Sequence, residues 1–242
     1  MFIVPCARQL TYQDCTFYHA IDLPGVGTTP GAWDLRGKFQ DYVGGVSLAG
    51  RTVLDIGTAS GFLTFEAEKL GAKVTSMDVD SEKRWNLLPF EPSMEPTARG
   101  DLIGQKIRNG YWFAHHTLGS TASALYGDVY DLAGYGLRFD VVILGALLEH
   151  LSDPIRALGA AGSVCTDTLV ITNRVLDTDD PTAALIGRAD TPKLNYSFFY
   201  LSRGFLREIL GMIGFRIEHI TSAAYKYMGD DIELQTVIGR RP

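Results

Sequence analysis

The stretch VLDIGTASG, residues 53–61, decides the predicted fold, because it joins a buried strand to a helix through a glycine-rich turn. The apolar, β-branched run TVLDIG before the turn is typical of a buried strand. The run FLTFEAEKLG after it has apolar residues near helical spacing and ends in glycine, as many helices do. A strand, a tight turn and a helix in this order are typical of a parallel α/β sheet.

The same alternation continues outward from this unit. Further strands are predicted at AKVTSMDVD, SALY, FDVVILG and DTLVITNRV, and the last segments, RIEHITSAAYKY and IELQTVIG, predict an antiparallel hairpin. We expect a short helix at SEKRWNLL and a loop over residues 176–200. The predicted fold is α/β, with a Rossmann-like, mostly parallel sheet and helices on both faces. Residues 51–242 form this domain, and residues 1–50 form an N-terminal arm or lid that is mostly loop.

The composition restricts the classes of function that fit. The chain has 242 residues, enough for one α/β domain, and 28 acidic against 22 basic residues give a net charge of −6. This charge argues against nucleic acid as a partner, because phosphate binding needs a basic face. No apolar run approaches the ~20 residues of a membrane helix. The separated cysteines Cys6, Cys15 and Cys165 predict free thiols in a reducing, cytoplasmic compartment.

Glycines and carboxylates at the predicted strand ends suggest a binding site. Gly57 lets the backbone approach a ligand, and Gly61 lets the helix pack close to the turn. Free N–H groups at the start of that helix favour a ligand carboxylate, and Asp55 suits an amine beside it, directly or through water. Asp78, after the second strand, can accept both hydroxyls of a ribose.

The third and fourth strands complete this site. Asp128 can accept the exocyclic amine of an adenine, Val129 can contact its ring, and the end of the fourth strand faces a second substrate. The turn lacks the middle glycine of the dinucleotide pattern G-x-G-x-x-G, which disfavours NAD. The predicted cofactor-binding residues are Asp55, Gly57, Thr58, Ser60, Gly61, Asp78, Val79, Gly127, Asp128, Val129 and Gly145.

These motifs resemble those of class I S-adenosylmethionine-dependent methyltransferases over residues 51–175. The resemblance is carried by VLDIGTASG, Asp78, GDVYDL and FDVVILGALLEHLSDP. It implies a seven-stranded sheet of order 3-2-1-4-5-7-6, S-adenosylmethionine as the cofactor, and methyl transfer as the reaction. It does not specify the acceptor, for which we expect a small molecule.

A longer resemblance links LDIGTASGFLTFEAEKLGAKVTSMD, LLEHLSDPIRAL and NYSFFYLSRGFLREILGMIGF to the tRNA wobble-uridine carboxymethyltransferase family. That family uses a carboxylated form of the cofactor. Phe62 stands where the family has Tyr, and Asn195 where it has Arg, so groups that would hold the extra carboxylate are missing. We therefore expect ordinary S-adenosylmethionine. Carboxymethyl transfer to a tRNA wobble uridine and a non-catalytic, cofactor-binding regulatory role remain alternatives.

His150, after the fourth strand, is the candidate catalytic base, with a packing or capping role as the alternative. A base is needed only if the acceptor atom is protonated, as in a hydroxyl group. No metal site is predicted, because neither a carboxylate nor a cysteine stands at ligand spacing from His115 and His116. The predicted acceptor pocket consists of His19, Trp33, Tyr196 and Tyr200.

Overall fold

The computed structural model describes residues 2–3, 9–79, 97–190 and 197–242, with the backbone alone for residues 2–3 and 97–103. Its strands are β1 (Phe2–Ile3), β2 (Asp22–Leu23), β3 (Gly27–Thr28), β4 (Trp33–Asp34), β5 (Thr52–Ile56), β6 (Lys73–Asp78), β7 (Ser123–Tyr126), β8 (Phe139–Gly145), β9 (Cys165–Asn173), β10 (Val175–Leu176), β11 (Ala183–Leu185), β12 (Phe199–Ser202), β13 (Arg216–Tyr227) and β14 (Asp230–Arg240). Its α-helices are α1 (Phe39–Tyr42), α2 (Phe62–Lys69), α3 (Thr97–Leu118), α4 (Pro154–Val164) and α5 (Arg203–Met212).

The main sheet has nine strands in the order β1-β7-β6-β5-β8-β9-β14-β13-β4. Its seven inner strands follow the predicted order 3-2-1-4-5-7-6, so that prediction is confirmed. Strands β5 to β9 pair in parallel, and β14 pairs antiparallel with β9 and β13. The two short outer strands, which the sequence did not predict, come from the N-terminal segment: β1 pairs with β7, and β4 pairs with β13.

The central strands are apolar on both faces because both faces are covered. Val53 and Leu54 of β5 and residues 141–144 of β8 have no exposed surface. On one face, α4 and α5 pack on the sheet, and on the other, α2, α3 and the N-terminal segment do. The local sequence sets where α4 and α5 begin, since Asp153 and Ser202 each accept a backbone N–H of the first turn.

The N-terminal segment is part of the core. Phe17, Ile21, Trp33 and Leu35 are each at most 8% exposed, because their apolar side chains pack against the sheet. Its backbone contains short strands where mostly loop was predicted, and α1 lies within residues 34–42, where the sequence predicts a short helix. A movement of this segment as a lid stays a prediction.

Residues 176–200 also contain more regular structure than predicted. Strands β10, β12 and β11 form a separate three-stranded sheet beside the main one. The helix predicted at SEKRWNLL, residues 81–88, lies outside the described residues. Among the described helices, none is both long enough and apolar enough to cross a membrane.

Candidate functional site

A cavity of about 410 Å³ lies at the carboxyl ends of β7, β6, β5 and β8. Glycines and polar side chains line the strand ends. Side chains of the N-terminal segment, α3 and the end of β13 form the opposite walls. A crevice at this edge of an open α/β sheet is the usual place for a bound ligand.

The loop between β5 and α2 forms the floor of the cavity. Gly57 and Gly61 have left-handed backbones, with φ of +79° and +91°. A Cβ on Gly57 would lie 3.2 Å from the Leu147 side chain, whereas a Cβ on Gly61 would lie 2.5 Å from the Phe65 ring. Gly57 therefore keeps the cavity wall open, and Gly61 allows α2 to pack. Ala59 between them has φ of +49°, which is strained for a residue with a Cβ.

Asp78, at the end of β6, is hydrogen-bonded to this loop. Its Oδ2 accepts the amide N–H of Ala59 at 2.8 Å, and its Oδ1 accepts that of Val79 at 2.7 Å. Burial raises the pKa of Asp78, while the two amides and the nearby Arg108 oppose the rise. A carboxylate offers about four lone-pair sites, so Asp78 retains acceptor capacity for a ligand.

The end of β7 supplies the next group along the edge. Asp128 Oδ1 accepts the N–H of Tyr130 at 3.0 Å and so caps the 3-10 helix Val129–Tyr135. A Cβ on Gly127 would lie 2.5 Å from Tyr135 Oη, so a side chain here would have to displace the end of that tyrosine. The backbone here is therefore held close against its neighbours, with Val129 in the cavity lining.

Arg108 of α3 lies over the ends of β6 and β7. It donates to the carbonyl oxygen of Val79 at 2.9 Å, and its guanidinium carbon lies 4.3 Å from the centroid of the Tyr126 ring. Among the described lining residues, Arg108 is the one arginine or lysine. The permanent positive charge of the described lining thus lies at the β6–β7 side.

The end of β8 is narrow. A Cβ on Gly145 would lie 2.9 Å from both Tyr42 Oη and the Leu63 side chain. Ala146 follows with φ of +48°, and its N–H donates to the carbonyl of Thr172 at 2.6 Å. The second strained alanine of the described residues is thus also in the cavity lining.

His150 lies one turn beyond this point. Its Nδ1 is 3.1 Å from Ser197 Oγ, and its Nε2 is 3.5 Å from Glu149 Oε1. Burial raises the pKa of Glu149, and the charges of His150 and Arg174 oppose the rise. The His150 ring is thus held between a hydroxyl and a carboxylate in the cavity lining.

Aromatic side chains face the end of β8 from the other wall. Trp33 Nε1 donates to Tyr18 Oη at 3.2 Å, and the Trp33 and Tyr227 ring centroids are 4.7 Å apart. Tyr42 and His19 line the same wall. The first part of the chain and the end of β13 therefore enclose this side together.

Residues 35–220 match a family model described as a methyltransferase domain. This match covers most of the chain. The chain belongs to this methyltransferase family. The family predicted from the motifs is thereby confirmed.

Three proteins of known sequence or structure are similar to this chain. The tRNA U34 carboxymethyltransferase of Campylobacter hominis is 28% identical over 174 residues, 69% of this chain and 51% of that protein. The N-terminal domain of EvdMO1, crystallised with SAH and D-fucose, superposes with a TM-score of 0.60 at 15% identity, covering 95% of this chain and 93% of that one. A SAM-dependent methyltransferase of Methanosarcina mazei superposes with a TM-score of 0.58 at 18% identity, covering 86% of this chain and 98% of that one. The two structures show a shared fold. The chain spans about half the length, or less, of the curated relatives it matches.

Most residues predicted for a methyltransferase site meet in this cavity. From the cofactor set, the lining includes Gly57, Thr58, Asp78, Val79, Gly127, Asp128, Val129 and Gly145. His150, His19 and Trp33 also line it. These positions come together because the carboxyl ends of parallel strands share one edge of the sheet.

Asp55, Ser60 and Gly61 lie behind the methyltransferase cavity rather than in its lining. Asp55 is buried; Thr64 Oγ1 donates to its Oδ2 at 2.7 Å, and its Oδ1 has no hydrogen-bond partner among the described residues. Ser60 Oγ accepts the amides of Tyr18 and His19, both at 3.1 Å. These polar groups therefore support the loop and the N-terminal segment.

The acceptor side differs most from the sequence prediction. Tyr200 does not line the cavity, because β12 directs it to Arg174, which donates to its Oη at 3.1 Å. Tyr196 lies outside the described residues. Sequence reasoning missed Tyr42, Tyr227 and Arg108, whose placement depends on long-range packing that no local motif reports. Among the described residues, no group of three or more His, Cys, Asp or Glu side chains can hold a metal ion.

Proposed function

We propose that this chain is an S-adenosylmethionine-dependent methyltransferase that acts on a small-molecule acceptor. The observation that carries the proposal is the order of groups along the cavity. Adjacent strands are about 4.8 Å apart, so β7, β6, β5 and β8 present their end groups in a row. Asp128 and Val129 come first, then Asp78, then the Gly57 loop, and last Gly145.

This row suits the parts of the cofactor in sequence. Asp128 and Val129 would hold adenine, Asp78 would accept the ribose hydroxyls, and the loop after β5 would receive the amino-acid end. The residues present fit the group: Asp78 keeps acceptor sites, and the missing Cβ of Gly57 leaves space that the loop backbone can offer. The acceptor would then meet the cofactor at the end of β8.

When bound, S-adenosylmethionine supplies a methyl group made electrophilic by its sulfonium. The protein's own contribution is to hold an acceptor in line and to exclude water, which can supply about 7–11 kcal/mol of the barrier. Tyr18, Trp33 and Tyr227 provide the apolar wall for this role. For a protonated acceptor, His150 would take the proton, with Ser197 beside its Nδ1 and Glu149 beside its Nε2 to hold the ring in place.

The size of the cavity and the charge of the chain support a small-molecule acceptor. The cavity of about 410 Å³ has to hold the cofactor as well as the acceptor, so the remaining volume favours a small molecule. The net charge of −6 and the position of Arg108, away from the β8 end, disfavour a polyanionic substrate. The cytoplasmic location inferred from the cysteines forms part of this proposal.

A second candidate, carboxymethyl transfer to a tRNA wobble uridine, is favoured by the similarity to the Campylobacter hominis protein. Phe62, which replaces the family's Tyr, is 2% exposed and packs in the core, so it offers no hydroxyl to an extra carboxylate. Asn195, the second departure, lies outside the described residues. The remaining alternative, a regulatory protein without activity, is disfavoured by the cavity of about 410 Å³ that the side chains leave at the strand ends.

Calorimetric titration with S-adenosylmethionine, its carboxylated analogue and NAD, on the wild type and on Asp78→Ala, tests the proposal. We expect S-adenosylmethionine to bind most tightly and to lose affinity in the variant. Tighter binding of the carboxylated analogue would favour the tRNA reaction. Binding of none of the three would refute the proposed cofactor.

A further inference from the structure

We infer that His19 binds the amino-acid carboxylate of the cofactor, a role that rests on the proposed function. The imidazole lines the cavity, yet it is only 7% exposed. Its Nδ1 is buried without a hydrogen-bond partner among the described residues. Buried polar atoms are nearly always hydrogen-bonded, so an unsatisfied ring in a cavity wall indicates a missing ligand group.

His19 is held beside the loop that would receive this end of the cofactor. The amides of Tyr18 and His19 both donate to Ser60 Oγ at 3.1 Å, which ties the N-terminal segment to the loop after β5. Because Ser60 belongs to that loop, the imidazole and the loop keep a fixed relation. The ring is therefore positioned before any ligand arrives.

The backbone around His19 has little freedom. The backbone of Trp33 is hydrogen-bonded to the residues on both sides of His19. The Trp33 N–H donates to the Tyr18 carbonyl at 3.1 Å, and the Trp33 carbonyl accepts the N–H of Ala20 at 2.8 Å. Gly31 approaches so closely that a Cβ there would lie 2.3 Å from the Ala20 nitrogen. Such a rigid support lowers the entropy lost when a ligand binds.

His19 can bind this carboxylate beside the N–H groups of the loop. Arg108, the one arginine or lysine of the described lining, is engaged at the β6–β7 side by Val79 and Tyr126. A carboxylate has only acceptors, and a neutral imidazole carries one N–H donor for it. Burial lowers the pKa of His19 to about 4, so the ring is neutral near pH 7 and still able to donate. His19 would thus serve the cofactor, in place of the acceptor contact that the sequence predicted.

Two nucleosides separate this role from a purely structural one. S-adenosylhomocysteine has the amino-acid end, and 5′-methylthioadenosine has the same adenosine and thioether without it. For His19→Ala, calorimetry should show a loss of about 10- to 100-fold in affinity for S-adenosylhomocysteine, as for a hydrogen bond to a charged group, and no more than about twofold for 5′-methylthioadenosine. Asp78→Ala, the matched control, should weaken both ligands, because both carry the ribose that this carboxylate would bind.

Two further variants guard against a folding defect. His19→Phe keeps the ring that packs 6.0 Å from Phe62 but has no donor, so it should behave like His19→Ala. His19→Asn restores an N–H and should recover part of the affinity. Equal losses for both nucleosides, or no loss for either, would overturn the assignment to His19 while leaving the cofactor proposal intact. A wild type that binds neither nucleoside would overturn the cofactor proposal and this assignment with it.

Discussion

The carboxylate of Asp78 accepts the amide N–H of Ala59 at 2.8 Å, across 19 positions of sequence. The proposed ribose ligand and the proposed amino-acid loop are therefore one hydrogen-bonded unit. A change at either residue is expected to alter both parts of the site.

Asp78→Ala is expected to weaken S-adenosylhomocysteine binding by about 10- to 100-fold, because the ribose loses its acceptor and the loop loses its brace. Titration calorimetry measures this directly. Asp140→Ala is the matched control, since Asp140 Oδ2 also accepts an amide of the neighbouring strand, that of Thr52 at 2.8 Å, but at the opposite end of the sheet. The control should lose stability and keep its affinity; a similar loss in both variants would contradict the prediction.

Asp55→Asn is expected to make the protein more stable at neutral pH. Burial raises the pKa of Asp55 to about 6 from an ordinary value of 3.8. Between these values the native chain keeps a proton that the unfolded chain has released, so wild-type stability falls as pH rises through this window and stays lower above it. The free energy of unfolding of the variant should not fall in this way, so above pH ~6 it should exceed that of the wild type by up to about 2–3 kcal/mol.

Urea denaturation of the wild type and Asp55→Asn at several pH values measures this difference. The hydrogen bond from Thr64 can persist in the variant, because the amide of Asn also offers an acceptor oxygen. Parallel stability profiles for the two proteins from about pH 4 to 7 would count against a raised pKa at Asp55.

The sequence predicts the sheet and one half of the site well. Strand periodicity and the Gly57 loop report buried strands and a tight turn, both of which are local properties. The strand order then places the strand ends side by side, which predicts that Asp78, Asp128 and Gly145 meet at one site. The cofactor side could therefore be assembled from short segments.

The acceptor side could not be predicted in the same way. Trp33 and His19 were placed correctly in the lining, but Tyr42 and Tyr227 reach it through packing between distant segments. Tyr200 was misplaced because residues expected to be loop form β12, which directs the side chain to Arg174. The contact of Asp55 with the ligand amine, directly or through water, stays a prediction: Thr64 donates to its Oδ2, and its Oδ1 has no partner among the described residues.

His150→Ala is expected to reduce turnover by about 10²–10⁴-fold if the acceptor is protonated, while cofactor affinity stays unchanged. The release of S-adenosylhomocysteine with an acceptor found by screening measures the turnover. Ser197→Ala, which removes the group 3.1 Å from Nδ1, should give a smaller loss. A normal rate in His150→Ala would leave this residue a packing role.

Ala146→Gly and Met228→Gly should each stabilise the fold by up to about 1 kcal/mol, since glycine relieves a left-handed backbone. Their φ angles are +48° and +51°, so the strain at the two sites is similar. Ala146 lines the cavity, whereas Met228 is an exposed turn residue. Thermal and urea unfolding give the stability change. If the backbone of Ala146 orders the site, Ala146→Gly alone should also weaken S-adenosylhomocysteine binding; an equal weakening in Met228→Gly would argue against this.

The contact between Trp33 and Tyr227 has a consequence for how the protein is made. On a ribosome, the nascent chain can form the first parallel strands long before Tyr227 leaves the exit tunnel. The aromatic wall has to wait for that residue, since one of its two halves does not yet exist. The acceptor side can therefore be enclosed only after the strand ends proposed for the cofactor have all been synthesised.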